Sequence, residues 1–125
     1  MIQCEKKTEV EMKGNNCFYE IERKDGLVRV RLVGEIDHHN AVALRTELDA
    51  FIGEERPQKL ALDLSGIGFM DSSGLGFVMG RYALMQRYGG ELVLESPGER
   101  TMKIFELAGI SRMIKIECEK KEEIQ

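Results

Sequence analysis

No apolar run in this sequence approaches the roughly 20 residues that a membrane-spanning helix requires. The first residues, Met1-Ile2-Gln3-Cys4-Glu5-Lys6-Lys7, lack the apolar centre of a signal peptide. A soluble, cytoplasmic protein is expected. Cysteine is scarce too. Cys4, Cys17 and Cys118 are odd in number, far apart and in no CxxC pair, which excludes a disulfide framework and a paired-ligand zinc site. Positive charge is not in excess: 18 Lys and Arg stand against 22 Asp and Glu, a net charge of −4. Direct binding to duplex nucleic acid, which calls for a basic surface, is therefore not expected.

Nucleotide and hydrolase signatures are missing as well. There is no G-x-x-x-x-G-K-[ST] loop, and Gly66-x-Gly68 and Gly74-x-Gly76 lack the third residue of a dinucleotide fingerprint. Neither Ser72 nor Ser73 lies in a G-x-S-x-G elbow, and His38 and His39 fit no triad pattern. Asp37, His38 and His39 are adjacent in sequence and cannot easily converge on one metal ion.

What the 125 residues do contain is a globular balance, 42% hydrophobic and 32% charged, enough for one domain with its own core. Residues 1–16 read as a polar leader or weak edge strand, and residues 17–125 as the domain. Cys17 to Lys24 is rich in strand formers and ends at Asp25-Gly26, a tight-hairpin dipeptide. Leu27 to Val33 alternates strictly, and Gly34 is expected to end it. Asn40 can cap a helix carrying Ala41, Leu44, Leu48, Phe51 and Ile52 at helical spacing. Leu60 to Leu64 reads as a buried strand, 65–71 as a connection, and Ser72 as the start of a helix closed by Gly89-Gly90. Gly76 and Gly80 are expected to let that helix pack closely. A strand at Glu91–Glu95, a helix at Thr101–Ala108, a strand at Met113–Glu117 and a tail from Cys118 that reads as a frayed helix complete the chain. This alternation predicts an α/β fold: one domain, a mixed, mostly parallel sheet with about four helices packed against it.

Function in such sheets concentrates in loops beyond the C-terminal ends of strands. Two loops qualify: Gly34-Glu35-Ile36-Asp37-His38-His39-Asn40, and Phe69-Met70-Asp71-Ser72-Ser73-Gly74-Leu75-Gly76. A serine at a helix start ordinarily caps free backbone N–H groups. The same place suits a covalent phosphate, because the helix N-terminus offers donors and partial positive charge. One serine suffices for a cap, so the Asp-Ser-Ser-Gly cluster points to an exposed, modifiable serine, with Gly74 leaving room for another protein's active site.

These two segments, with Gly80-Arg81-Tyr82 after them, resemble the STAS domain family, and within it the anti-sigma-factor antagonists. The resemblance spans about residues 18–118. The paired histidines are more similar to the sporulation branch than to the general-stress branch. It implies a non-enzymatic, cofactor-free switch whose unphosphorylated form binds an anti-sigma factor that is also a serine kinase, and so frees the sigma factor. It also implies that the kinase phosphorylates the serine after the Asp, here Ser72, and that a PP2C-type phosphatase reverses this. Asp71, Ser73 and Gly74 would lie beside the acceptor, and Glu35, Asp37 and His38 on the adjoining partner surface. The rival classes are a small-ligand or nucleotide-sensing STAS module and a serine hydrolase.

Overall fold

The computed structural model describes residues 8–11 and 17–118. Chain order runs β1 (Thr8–Glu11), β2 (Cys17–Lys24), β3 (Leu27–Ile36), α1 (Ala41–Glu55), β4 (Lys59–Met70), α2 (Ser72–Arg87), β5 (Glu91–Glu95), α3 (Glu99–Ala108), a 3-10 turn (Ile110–Arg112) and β6 (Lys115–Glu117). The six strands form one sheet in the order β1-β2-β3-β4-β5-β6. The first two pairings are antiparallel and the next three parallel. Asp25 and Gly26 both take positive φ, 47° and 83°, which matches the right-handed twist of the β2–β3 hairpin.

Right-handed crossovers between neighbouring parallel strands place their helices on one face. Leu44, Leu48 and Ile52 of α1, Phe77, Val78 and Met85 of α2, and Phe105 of α3 accordingly share one core with Val28, Val30, Leu60, Leu62, Leu92 and Leu94 of the sheet. Each such side chain, fully buried, contributes on the order of 1.5–3 kcal/mol. The opposite face carries the register row Glu22, Arg29, Ala61, Val93 and Lys115. There the Arg29 guanidinium crosses β4 to meet both oxygens of Glu95 at 2.8 and 3.0 Å. Paired in this way, Arg29 holds its proton more tightly than an ordinary arginine.

Several boundaries differ from the sequence expectation. The described residues contain three α-helices rather than about four, and the tail expected as a frayed helix lies, beyond Cys118, outside them. β3 does not end at Gly34, nor β4 at Leu64. Both continue, pairing Val33 with Gly66, Gly34 with Ile67, Glu35 with Phe69 and Ile36 with Met70, with register shifts at Arg31/Val33 and Gly34/Glu35. The irregular register breaks the period-2 pattern, so residues 65–71 read as a connection from sequence. Gly34 has φ 117°, and a Cβ on Gly66 would lie 2.8 Å from the Leu32 carbonyl oxygen. The glycines thus permit close strand approach within the sheet instead of ending it.

Gly76 and Gly80 also depart from expectation. A Cβ on either would meet nothing within 4 Å, so neither serves close packing among the described residues. Without that compensation, their flexibility only weakens α2. Gly76→Ala and Gly80→Ala should each raise stability by about 0.5–1 kcal/mol. Thermal melts should shift upward by a few degrees per substitution, and a fall would show a steric demand at that position.

Candidate functional site

The extension of β3 and β4 carries both loops to one end of the sheet. The Asp71 N–H donates to the Ile36 carbonyl at 3.2 Å, which ties the second loop directly to the end of β3.

The first loop is a closed hydrogen-bonded turn. One carboxylate oxygen of Asp37 accepts from the N–H groups of His39 at 2.9 Å and Asn40 at 3.2 Å. Asn40, 1% exposed, accepts from the Asp37 N–H at 3.0 Å and donates from Nδ2 to the Glu35 carbonyl at 2.8 Å. Asn40 precedes α1 as expected, but its side chain makes no capping bond. Its polar atoms are spent stapling the turn, a role that the sequence pattern of an Asn before a helix does not distinguish from capping. Cys17 lies buried beneath this loop, paired in register with Gly34. Burial, with the nearby Asp37 charge, pushes its thiol up to about 11, so it stays protonated and unreactive near neutrality. Outside the turn, His38 and His39 are exposed with ring centroids 4.1 Å apart.

In the second loop the expected capping role passes from the serines to Asp71. Asp71 is the N-cap of α2, and its Oδ1 accepts from the Ser73 N–H at 2.8 Å. The Asp71 carbonyl accepts from the Gly74 N–H at 2.9 Å. Ser72 is left exposed in the first turn, with no hydrogen bond to its hydroxyl among the described residues, while Ser73 is half-buried. Gly74 is buried, and a Cβ there would collide with Cγ of Met70. Its missing side chain is therefore required by the packing of α2 on the end of β4.

The surroundings are acidic or neutral. Residues 34–44 and 69–80 contain Glu35, Asp37 and Asp71 but no lysine or arginine. Phe69, 43% exposed, and Val42 give the same end some apolar surface. The next residue of α2, Arg81, is 3% exposed. Its Nη1 donates to the Phe77 carbonyl at 3.0 Å and its Nη2 to Asp49 at 3.2 Å, and Nε lies 2.8 Å from the other Asp49 oxygen in an off-line ion contact. This pair clamps α1 to α2 behind the loops. Sequence reasoning placed Arg81 in a motif without seeing its burial, because nothing local marks Asp49 as its partner.

Among the described residues no group of three or more His, Cys, Asp or Glu side chains is placed to hold a metal ion, and no histidine hydrogen-bonds to a serine. No described helix is long and apolar enough to cross a membrane. A concavity of about 350 Å³ lies elsewhere, lined by Arg29, Asp63, Glu95, Ser96, Glu117 and Cys118. It includes none of the residues of the two loops.

A family model for the STAS domain matches residues 18–123. The chain belongs to the STAS domain family. Among STAS proteins it is 34% identical over 101 residues to an anti-sigma F factor antagonist of Paenibacillus polymyxa, covering 81% of this chain and 86% of the relative. It is 29% identical over 110 residues to an anti-sigma-B factor antagonist of Bacillus subtilis, covering 88% and 99%. Among solved STAS structures it is similar to the anti-sigma factor antagonist SpoIIAA in its unphosphorylated form, with TM-score 0.71 and 26% identity over 82% of this chain and 89% of that one. The Bacillus SpoIIAA in its phosphorylated form gives TM-score 0.66 and 26% identity over 82% and 92%.

Proposed function

We propose that this protein is an anti-sigma factor antagonist switched by phosphorylation of Ser72. The observation that carries the reading is the division of labour at the start of α2: Asp71 caps the helix, and Ser72 stands exposed with a hydroxyl that makes no hydrogen bond among the described residues. The relatives and the structures of SpoIIAA in both phosphorylation states support it. In its unphosphorylated form the protein docks the end of the sheet bearing Ser72, Glu35, Asp37, His38, Asp71 and Ser73 onto an anti-sigma factor that is also a serine kinase, and the sigma factor is released. Gly74 contributes from below by setting how closely α2 approaches Met70. The kinase transfers the γ-phosphoryl group of ATP to the Ser72 oxygen, and a PP2C-type phosphatase hydrolyses the ester. The protein itself acts as a regulator and not as an enzyme, in the cytoplasm where sigma factors work.

The physics of the switch is local. A phosphate adds about −1.5 to −2 charges and a strongly hydrated group. Placed among Glu35, Asp37 and Asp71 at a docking face, it must be desolvated or must hold the partner off. Incubation with the host's anti-sigma kinases and ATP, followed by mass spectrometry, should give one phosphate per chain, on Ser72. Phosphate on Ser73 in the native protein, persisting in Ser72→Ala, would overturn the assignment.

A further inference from the structure

Where would the charge of a phosphate on Ser72 be balanced within this chain? Most first-turn amides of α2 are already in use: that of Ser73 donates to the Asp71 carboxylate and that of Gly74 to the Asp71 carbonyl. A phosphate could take those donors only by displacing the cap. Arginine is absent from both loops: Arg81 is buried against Asp49, and Arg45, on α1, is near enough for its charge to act on Arg81. The groups able to carry positive charge in both loops are the exposed imidazoles of His38 and His39.

We propose that the adjacent His38–His39 pair is the cationic counterpart of a phosphate on Ser72. The inference rests on Ser72 being the acceptor. The Asp71–Ile36 hydrogen bond ties the second loop to the end of β3, and His38 and His39 follow two and three residues beyond Ile36, in the turn closed by the Asn40–Glu35 hydrogen bond. A dianionic phosphate favours the protonated form of an imidazole beside it, and an imidazolium in turn favours the dianion. Two imidazolium rings 4.1 Å apart repel each other, and a neighbouring dianion relieves this. The carboxylates of Glu35 on β3, Asp37 in the turn and Asp71 at the cap act in the opposite sense on the phosphate. Cys17, from β2, is held neutral and adds no charge.

The test installs phosphoserine at position 72 genetically, in the otherwise native chain and in His38→Gln/His39→Gln. Phosphorus NMR then follows the monoanion-to-dianion transition with pH. The native chain should titrate lower by about 0.4 pH units or more, and 0.5 M salt should shrink the difference. Coincident midpoints at low salt would overturn the proposal. If the double variant melts early, the single variants His38→Gln and His39→Gln replace it, each expected to show part of the shift. Because the phosphate is installed without a kinase, failure of the kinase assay would condemn the acceptor reading, while the titration judges the histidine pair alone.

Discussion

Ser72→Asp should weaken binding to the cognate anti-sigma kinase by about 1.5–3 kcal/mol, or roughly ten- to a hundredfold, while Ser72→Ala binds within about twofold of the native protein. The difference follows from what each side chain does at the exposed first turn of α2. Alanine removes a hydroxyl that makes no hydrogen bond among the described residues, so the free protein loses nothing there. Aspartate adds a second carboxylate beside Asp71, on an end of the sheet that carries Glu35 and Asp37 and no lysine or arginine in either loop. An interface carboxylate without a facing cation is costly to desolvate. Phosphate, with more charge and three acceptor oxygens, should cost more than aspartate. Folding is not the source of the effect: negative charge at a helix N-terminus is tolerated or mildly favourable. Calorimetric titration of the three proteins with ADP present decides it. Equal affinities for native and Ser72→Asp would sink an electrostatic switch and leave phosphate bulk as the explanation.

Asp49→Ala should cost about 2–3 kcal/mol of stability, and Arg81→Met less than about 1. Removing one partner of a buried ion pair typically costs roughly 3–5 kcal/mol, because the other charge stays buried and unpaired. That figure is reduced here because Asp49 is 38% exposed and water can reach the pair. The guanidinium itself is buried, and burial pulls Arg81 below its ordinary affinity for a proton while Asp49 pulls the other way. Without Asp49, only the desolvation and the repulsion from Arg45 remain. Arg81→Met removes the buried charge, fills much of the same space, and leaves Asp49 free to hydrate. Urea unfolding should show the midpoint of Asp49→Ala well below that of Arg81→Met with unchanged slopes. Equal losses would mean that α1 and α2 are held by packing alone. Since the clamp sits behind the two loops, kinase affinity should fall with Asp49→Ala more than its exposure alone would suggest.

Local pattern determined much of this protein. Alternation over residues 27–33, helical spacing from Ala41 to Ile52, and Asp25-Gly26 between two strand-forming runs depend only on neighbours in the chain, and the hairpin, α1 and the parallel order follow from them. The two loops and the serine pair were legible for the same reason, since strand ends and helix starts are written locally. What the tertiary structure decided is who does what within those loops. The pairing of Glu35 with Phe69 and Ile36 with Met70 extends both strands through glycines that look like breaks, because a hydrogen-bonded neighbour overrides local turn preference. Asp71 rather than a serine caps α2, Asn40 staples a turn rather than capping α1, and Gly74 answers to Met70 while Gly76 and Gly80 answer to nothing among the described residues. The buried Arg81–Asp49 clamp joins residues 32 apart in sequence. Each of these depends on which backbone or side chain arrives from another element. No periodicity within a single segment encodes that arrival.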